Sequence, residues 1–298
     1  MKILDIILTV TVVLAVICIW LNLLDCNRFV VRHITLTDKR IRHKVRAAMI
    51  SDLHNKRFGR DNEQLLEAIR AQKPDVIFSA GDIMTARPRA KQDVAIRFLE
   101  ALSGEYPVYY ANGNHEHRIK LYPKTYHDMA QTYAKELERL GIEPMVNVHE
   151  RLGEAGITVY GLEMDARFYK RFRHTRMEES YLKSVLGEPD EDSYTVLLAH
   201  NPDYFPEYAT WGADLVLSGH VHGGLVRVPF WGKGVVSPSL RLFPKYDGGV
   251  FSEEDKTMVL SRGLGLHTIP LRLFNPAEFW VIDFVPAADE TRAASEQS

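Results

Sequence analysis

From residue 45 onward, short apolar runs alternate with amphipathic segments that carry helix caps. Residues 45–51 are typical of a buried strand, and residues 61–73 have the periodicity of a helix. The alternation continues with strands predicted at 75–80, 107–111, 142–148, 157–161, 194–199 and 213–218, and helices predicted at 88–102, 123–140 and 177–186. This pattern predicts an α/β fold, in which ligands bind beyond the carboxyl ends of the strands.

Five short polar motifs stand directly after apolar runs. They are Ser51-Asp52-Leu53-His54, Ala80-Gly81-Asp82, Asn112-Gly113-Asn114-His115-Glu116, Ala199-His200-Asn201-Pro202 and Ser218-Gly219-His220-Val221-His222-Gly223-Gly224. Each motif alone is weak evidence. Together, their carboxylate, imidazole and amide groups suit borderline divalent ions such as Mn²⁺, Zn²⁺ or Fe.

The spacing within two of these motifs predicts convergence on one site. In an extended chain the side-chain period is two, so Asp52 and His54 face the same side, as do His220 and His222. So many ligands predict two ions bridged by one carboxylate. A site of that kind clamps the attacking and leaving oxygens of a phosphoryl transfer.

The five motifs resemble those of the calcineurin-like metallophosphoesterase superfamily, over residues 47–283. The strings SGHVHGG and LSRGLG resemble its bacterial, membrane-associated branch, which includes cell-wall-linked phosphodiesterases and some UDP-diacylglucosamine pyrophosphatases. The resemblance implies a four-layer α/β/β/α sandwich, here preceded by one N-terminal transmembrane helix. It also implies two divalent ions, with Mn²⁺ as the first candidate and Zn²⁺ or Fe as alternatives.

The resemblance further implies a role for each site residue. One ion would be held by Asp52, His54, Asp82 and His222, and the other by Asp82, Asn114, His200 and His220. Asp82 would bridge the two ions. His115 would bind no metal, and would instead stabilise the phosphoryl oxygens and protonate the leaving group.

Several residues near the motifs allow more than one interpretation. Thr85 departs from the family pattern, because many relatives carry an acidic or aromatic residue three positions after the bridging Asp. Lys56 is either a solvated loop lysine or a phosphate contact, and Glu116 either orients His115 or begins a helix. The aromatic residues of the late Gly/Pro-rich stretch rim the cleft, touch lipid or pack in the core: Phe230, Trp231, Phe243, Tyr246 and Phe251.

Residues 6–24 carry no charged side chain and are long enough to cross a hydrocarbon core of about 30 Å as a helix. They predict a retained membrane anchor, with a cleavable signal peptide or a buried core helix as alternatives. The basic residues that follow favour a cytoplasmic body but also suit a solvated strand and turn, so the side of the membrane stays undecided. The predicted organisation is an anchor at 1–25, a connector or first strand at 26–46, a metallophosphoesterase domain at 47–285 and a disordered tail at 286–298.

Charge and cysteine content restrict the class of protein. A net charge of -2 provides no basic footprint for nucleic acid, and two cysteines near the N-terminus cannot supply a disulfide framework. The sequence therefore predicts a membrane-anchored dimetal phosphoesterase that hydrolyses a phosphodiester or pyrophosphate bond, with a lipid-linked or cell-envelope phosphorylated substrate. The alternative is a catalytically idle, metal-dependent scaffold that binds a phosphorylated ligand. A cytoplasmic nucleic-acid phosphoesterase is disfavoured by the charge and the apolar segment.

Overall fold

The computed structural model describes residues 2–170, 175–238, 240–266 and 270–288. The strands are β1 (Phe29–Asp38), β2 (Val45–Ile50), β3 (Val76–Ser79), β4 (Val108–Tyr110), β5 (Val148–Arg151), β6 (Ile157–Leu162), β7 (Tyr194–Ala199), β8 (Leu215–Ser218), β9 (Gly249–Glu253), β10 (Lys256–Leu260) and β11 (Ala277–Pro286). The helices are α1 (Lys2–Asn27), α2 (Glu63–Ala71), α3 (Asp93–Ser103), α4 (Asn114–Leu121), α5 (Pro123–Tyr126), α6 (Met129–Arg139), α7 (Glu179–Leu186) and α8 (Phe205–Trp211).

The strands form two mixed sheets. The first has the order β1-β11-β2-β3-β4, with β2, β3 and β4 parallel and β11 antiparallel to β2. The second has the order β5-β6-β7-β8-β10-β9, with a parallel centre and an antiparallel strand at each edge. The two sheets are the frame on which the polar motifs are carried.

Three apolar clusters separate four layers. Because side chains alternate along a strand, Ala48 and Ile50 of β2 pack against the helices α2, α3 and α6, whereas Ala47 and Met49 pack between the sheets. The third cluster lies between the second sheet and the helices α7 and α8. The helix-sheet-sheet-helix layering confirms the predicted fold class.

The central strands end in register at one edge of each sheet. Ile50 pairs with Ser79 and Ser79 with Tyr110 in the first sheet, while Leu198 pairs with Leu217 in the second. The polar motifs therefore leave both sheets at neighbouring points. This placement is what brings distant parts of the chain to one site.

Two local predictions were wrong. The helix predicted at 123–140 is divided into α5 and α6 at His127, which has a left-handed φ of 53° that no helix continues. The strand predicted at 142–148 is reduced to an isolated bridge between Tyr110 and Pro144 before β5 begins. Proline supplies no backbone donor, so this stretch cannot extend a ladder.

The N-terminal apolar segment forms α1, whose most hydrophobic 18-residue window has mean hydropathy 2.7 and is 0% buried. By length and composition α1 is a candidate membrane span, and a signal sequence meets the same criteria. Only Arg28 separates α1 from β1, and β1 pairs with β11 along its whole length. The domain boundaries remain predictions, and residues 289–298 of the predicted tail lie outside the described residues.

Candidate metal centre

The predicted ligands do not follow the strands in extended form. Asp52, His54, Asp82, His220 and His222 all have φ between 46° and 74°, the left-handed region that residues other than glycine rarely adopt. Such strain is stored where the surrounding structure over-determines it, and it clusters at functional sites. Asp52 and His54 therefore converge because each backbone turns sharply, and not because a strand alternates.

One group of ligand atoms gathers around Asp52. Nε2 of His222 lies 3.4 Å and Nε2 of His54 lies 4.0 Å from Oδ1 of Asp52, and the two imidazole Nε2 atoms are 3.1 Å apart. The carboxylate itself accepts the backbone N–H of His220 at 2.9 Å. The side chains of Asp52, His54 and His222 are buried and form one cluster able to hold a metal ion.

A second group gathers around Asp82. Oδ2 of Asp82 lies 3.2 Å from Nε2 of His200 and 3.7 Å from Nε2 of His54, so this oxygen stands between the two groups. Asp82, His200 and His220 form a further cluster able to hold a metal ion. The shared position of Asp82 is what a bridging carboxylate requires.

Asn114, the first residue of α4, completes the second group. Its amide Oδ1 lies 2.8 Å from Nδ1 of His220. An amide oxygen is a neutral ligand, so the carboxylates of Asp52 and Asp82 carry the negative charge of the site. All seven predicted ligands thus lie at one place.

The donor set fits divalent ions. Two ligands bound at about 2.1 Å to one ion lie about 3.0–3.4 Å apart, close to the separations of His54 from His222, His222 from Asp52, and His200 from Asp82. Nδ1 of His200 lies 2.6 Å from the carbonyl oxygen of Ala80, which fixes the proton on Nδ1 and leaves Nε2 available as a ligand. That buried Nε2 atom lies 3.2 Å from Oδ2 of Asp82, so the two atoms are placed to share one cation.

The electrostatics of the site favour a cation. Burial alone would lower the pKa of His200, but Asp82 and Asp52 raise it to about 10. Burial alone would raise the pKa of Asp82, but His200, His115 and His54 hold it well below its usual range. Burial and the Asp82 charge raise the pKa of Asp52 to about 6. A positive charge between the two carboxylates is therefore stabilised, whether a proton or a metal supplies it.

His115 lies beside these ligands with its ring held by the backbone. The N–H of Ala86 donates to Nδ1 of His115 at 2.8 Å, so the neutral ring carries its proton on Nε2. Nε2 lies 3.9 Å from Oδ2 of Asp82, and burial lowers the pKa of His115. A protonated Nε2 cannot bind a metal, although His115 lies close enough to His54 and Asp82 to form a third possible cluster. It can donate a hydrogen bond to an oxygen in the site.

Glu116 lies in the first turn of α4, and its carboxylate also binds the loop that carries Asp82. Its Oε2 accepts the backbone N–H groups of Asp82 and Gly113, both at 3.0 Å, and its Oε1 accepts that of Ile83 at 2.9 Å and the Tyr110 hydroxyl at 2.9 Å. It therefore joins the start of α4 to the loop that carries Asp82. Burial and the charge of Asp82 raise the pKa of Glu116 to about 7.

Sequence reasoning missed Arg272 and Asn275. The fully buried guanidinium of Arg272 donates to the carbonyl oxygens of Gly263 and Gly265, and the backbone N–H of Gly265 in turn donates to the carbonyl of Asp52 at 2.6 Å. Nδ2 of Asn275 donates to the carbonyl of His222 at 2.7 Å. Both brace the loops that carry Asp52 and His222 from a distant part of the sequence. Only the LSRGLG string, which contains Gly263 and Gly265, marked this region.

Lys56 contacts the end of α1, and the late aromatic residues are divided between the core and the surface. Nζ of Lys56 donates to Oδ1 of Asn27 at the end of α1. Tyr246 is buried and Phe251 is partly buried in the third apolar cluster. In contrast, Phe230, Trp231 and Phe243 are exposed.

Similarity to known proteins extends across the metal centre. A family model described as calcineurin-like phosphoesterase matches residues 45–224, which include every predicted ligand. The metallophosphoesterase YkuE of Bacillus subtilis is 24% identical over 245 residues, covering 74% of this chain and 71% of the relative. The metallophosphoesterase Cj0846 of Campylobacter jejuni is 24% identical over 248 residues, covering 82% of this chain and 60% of the relative. Among solved structures, TT1561 of Thermus thermophilus aligns with a TM-score of 0.46 at 14% identity, covering 74% of this chain and 90% of that chain.

Proposed function

The chain belongs to the calcineurin-like phosphoesterase family. We propose that it is a membrane-anchored phosphoesterase that hydrolyses a phosphodiester or pyrophosphate bond with two divalent ions. The observation that carries the proposal is the convergence of two buried carboxylates and four imidazoles from separate motifs. Burying two carboxylates together costs free energy unless a cation neutralises their charge.

We assign the ligands to two ions that share Asp82. Asp52, His54, Asp82 and His222 would hold one ion, and Asp82, Asn114, His200 and His220 the other. The position of Oδ2 of Asp82, within 4 Å of both His54 and His200, supports this sharing. Held by these residues, two ions would supply an activated water molecule and positive charge beside the phosphoryl group. Mn²⁺ is the first candidate, because the donors are carboxylates, imidazoles and an amide.

The hydrogen bond from Ala86 to His115 favours the pyrophosphate bond over an alkyl diester. A second proton on His115 would place an N–H at Nδ1 against the N–H of Ala86, so the ring is better suited to donating a hydrogen bond than to transferring a proton. A phosphate leaving group, whose pKa is about 6, departs without a proton. An alkoxide leaving group, in contrast, must receive a proton as it departs.

The membrane anchor of the proposal is α1. Its apolar window is exposed on all sides in the fold, and the single residue between α1 and β1 would hold the domain close to a bilayer. A phosphorylated substrate that is linked to lipid or to the cell envelope would meet the site there.

The test is hydrolysis by the full chain in lipid nanodiscs loaded with Mn²⁺. We expect turnover of a lipid-borne pyrophosphate to exceed that of bis-nitrophenyl phosphate, and turnover of nitrophenyl phosphate to be lowest. Asp82→Asn should abolish turnover, whereas Asp283→Asn, the same change at the Arg46 ion pair far along β11, should not. Turnover of the monoester alone would contradict the bond class. The scaffold alternative would be favoured if the protein held two ions and bound the phosphorylated compound tightly but did not hydrolyse it.

A further inference from the structure

The end of α1 is docked onto the segment that begins at residue 270. Oδ1 of Asn22 accepts the backbone N–H of Arg272, and Oδ2 of the buried Asp25 accepts that of Asn275, both at 2.8 Å. Asn275 also donates to the carbonyl of His222. The helix end is therefore two hydrogen bonds away from a proposed metal ligand.

A hairpin is hydrogen-bonded to the same segment, which begins at residue 270. We call it the aromatic hairpin, and the structure describes its residues 225–238 and 240–243. The backbone N–H of Arg227 donates to the carbonyl of Leu273 at 2.9 Å, and that of Leu273 donates to the carbonyl of Leu225 at 3.1 Å. The guanidinium of Arg227 is buried and donates to the carbonyl oxygens of Gly223 and Asp247. The hairpin is thus fixed to the metal-binding loop and lies beside the end of α1.

The aromatic hairpin exposes an unusual amount of apolar side chain. Relative exposures are 109% for Phe230, 67% for Trp231, 70% for Leu242 and 58% for Phe243. Large apolar side chains concentrated on one exposed segment mark a surface that binds a protein or a membrane. Three exposed basic residues lie in or next to the hairpin: Lys233, Arg241, which pairs with Asp203, and Lys245, which pairs with Glu253.

We propose that the aromatic hairpin is a second membrane contact, which inserts its exposed apolar side chains into the interface of the bilayer that α1 crosses. This inference rests on the membrane anchor of the proposed function. Aromatic side chains favour the membrane-water interface, and a basic side chain beside them, here Lys233, favours anionic headgroups. Continuity with α1 selects a bilayer over a protein partner, because the hairpin is hydrogen-bonded to the segment that holds the helix end. Because Arg227 of the hairpin donates to the carbonyl of Gly223, next to His222, the inserted hairpin would hold the metal centre near the lipid surface. A phosphate carried by a lipid headgroup is then the class of substrate that reaches it.

The test places an environment-sensitive nitrobenzoxadiazole label on the full chain. Cys18 and Cys26 are replaced by alanine, and the label is attached through Phe230→Cys or, as a control, Glu154→Cys. Glu154 is exposed in the turn between β5 and β6, at the opposite end of the second sheet from the metal-binding loops. Each protein is reconstituted in vesicles of phosphatidylethanolamine and phosphatidylglycerol.

We expect the label at position 230 to emit at shorter wavelength in vesicles and to be quenched by a lipid-borne spin label, and the label at position 154 to show neither change. If both variants bind to vesicles but the labels at positions 230 and 154 respond alike, the hairpin contact is overturned and the anchor is not. Failure to float with vesicles would overturn both the anchor and the hairpin contact. A shift at position 230 that appears in detergent and grows with protein concentration would assign the patch to a second copy of the chain, and would also overturn the proposal.

Discussion

Gly113→Ala should damage metal binding far more than it damages the fold. A Cβ built at Gly113 would lie 2.5 Å from the backbone N of Asp82 and closer still to its Oδ1. Gly113 has φ -90° and ψ -172°, which alanine adopts without strain, so the substitution tests the contact alone. Asp82 must move by about 1 Å to relieve this clash, whereas the distance from a ligand to its metal can vary by only about 0.2 Å.

The expected magnitudes follow from that displacement. Overpacking costs about 1–3 kcal/mol of unfolding free energy, which leaves a domain of ordinary stability folded, because natural domains have about 5–15 kcal/mol. Lost support of a metal ligand costs about 10–100-fold in affinity, and both ions should be affected if they share Asp82.

Two measurements on the full chain separate these effects: denaturant unfolding without metal, and calorimetric titration with Mn²⁺. Gly104→Ala is the matched control, because its Cβ would lie no closer than 3.3 Å to the carbonyl of Glu100 and its φ is -70°. Wild-type affinity for both ions in Gly113→Ala would refute the assignment of Asp82 as a ligand.

Three further predictions test individual residues. His115→Gln should retain two bound ions and lose about 10²–10³ in rate, equally for nitrophenolate and alkoxide leaving groups; a loss confined to alkoxides would show that His115 transfers a proton. Metal binding at pH 7.5 should release a proton from His200, whose pKa of about 10 keeps it protonated without metal; calorimetry in buffers of different ionisation enthalpy should show about one proton fewer in His200→Asn. Asp82→Asn should reduce the metal content measured by elemental analysis from two ions, and two ions retained at wild-type affinity would remove the bridge.

The positions of the ligands could be predicted because they depend on a short-range rule. Asp52, Asp82 and His200 follow buried apolar strands, and parallel strands end at a common edge of their sheet. The orientation of the ligands could not be predicted in the same way. Asp52 and His54 have left-handed φ, and their backbone N–H groups donate to the carbonyl oxygens of Gly81 and Asp82 in another loop. The alternating pattern of a strand therefore predicts their convergence from a backbone conformation that they do not have.

The supporting residues were beyond sequence reasoning because their contacts span the chain. Arg272 braces a loop next to Asp52, more than 200 residues earlier, and only the folded sheets bring the two together. Glu116 has the sequence context of a helix start, yet its carboxylate also organises the Asp82 loop. The break at His127 could not be predicted either, because local periodicity continues across it.

The place of β11 in the first sheet sets the order in which the chain can fold during synthesis. β11 lies between β1 and β2, and it pairs Ala277 with Phe29, about 250 residues earlier. At about 5–20 residues per second, a ribosome needs about 12–50 s to make that length. Throughout this time β1 has no neighbour in its sheet, while α1 has already been made. A nascent chain that stalls before Ala277 therefore leaves an unpaired strand next to the apolar helix, an arrangement prone to aggregation.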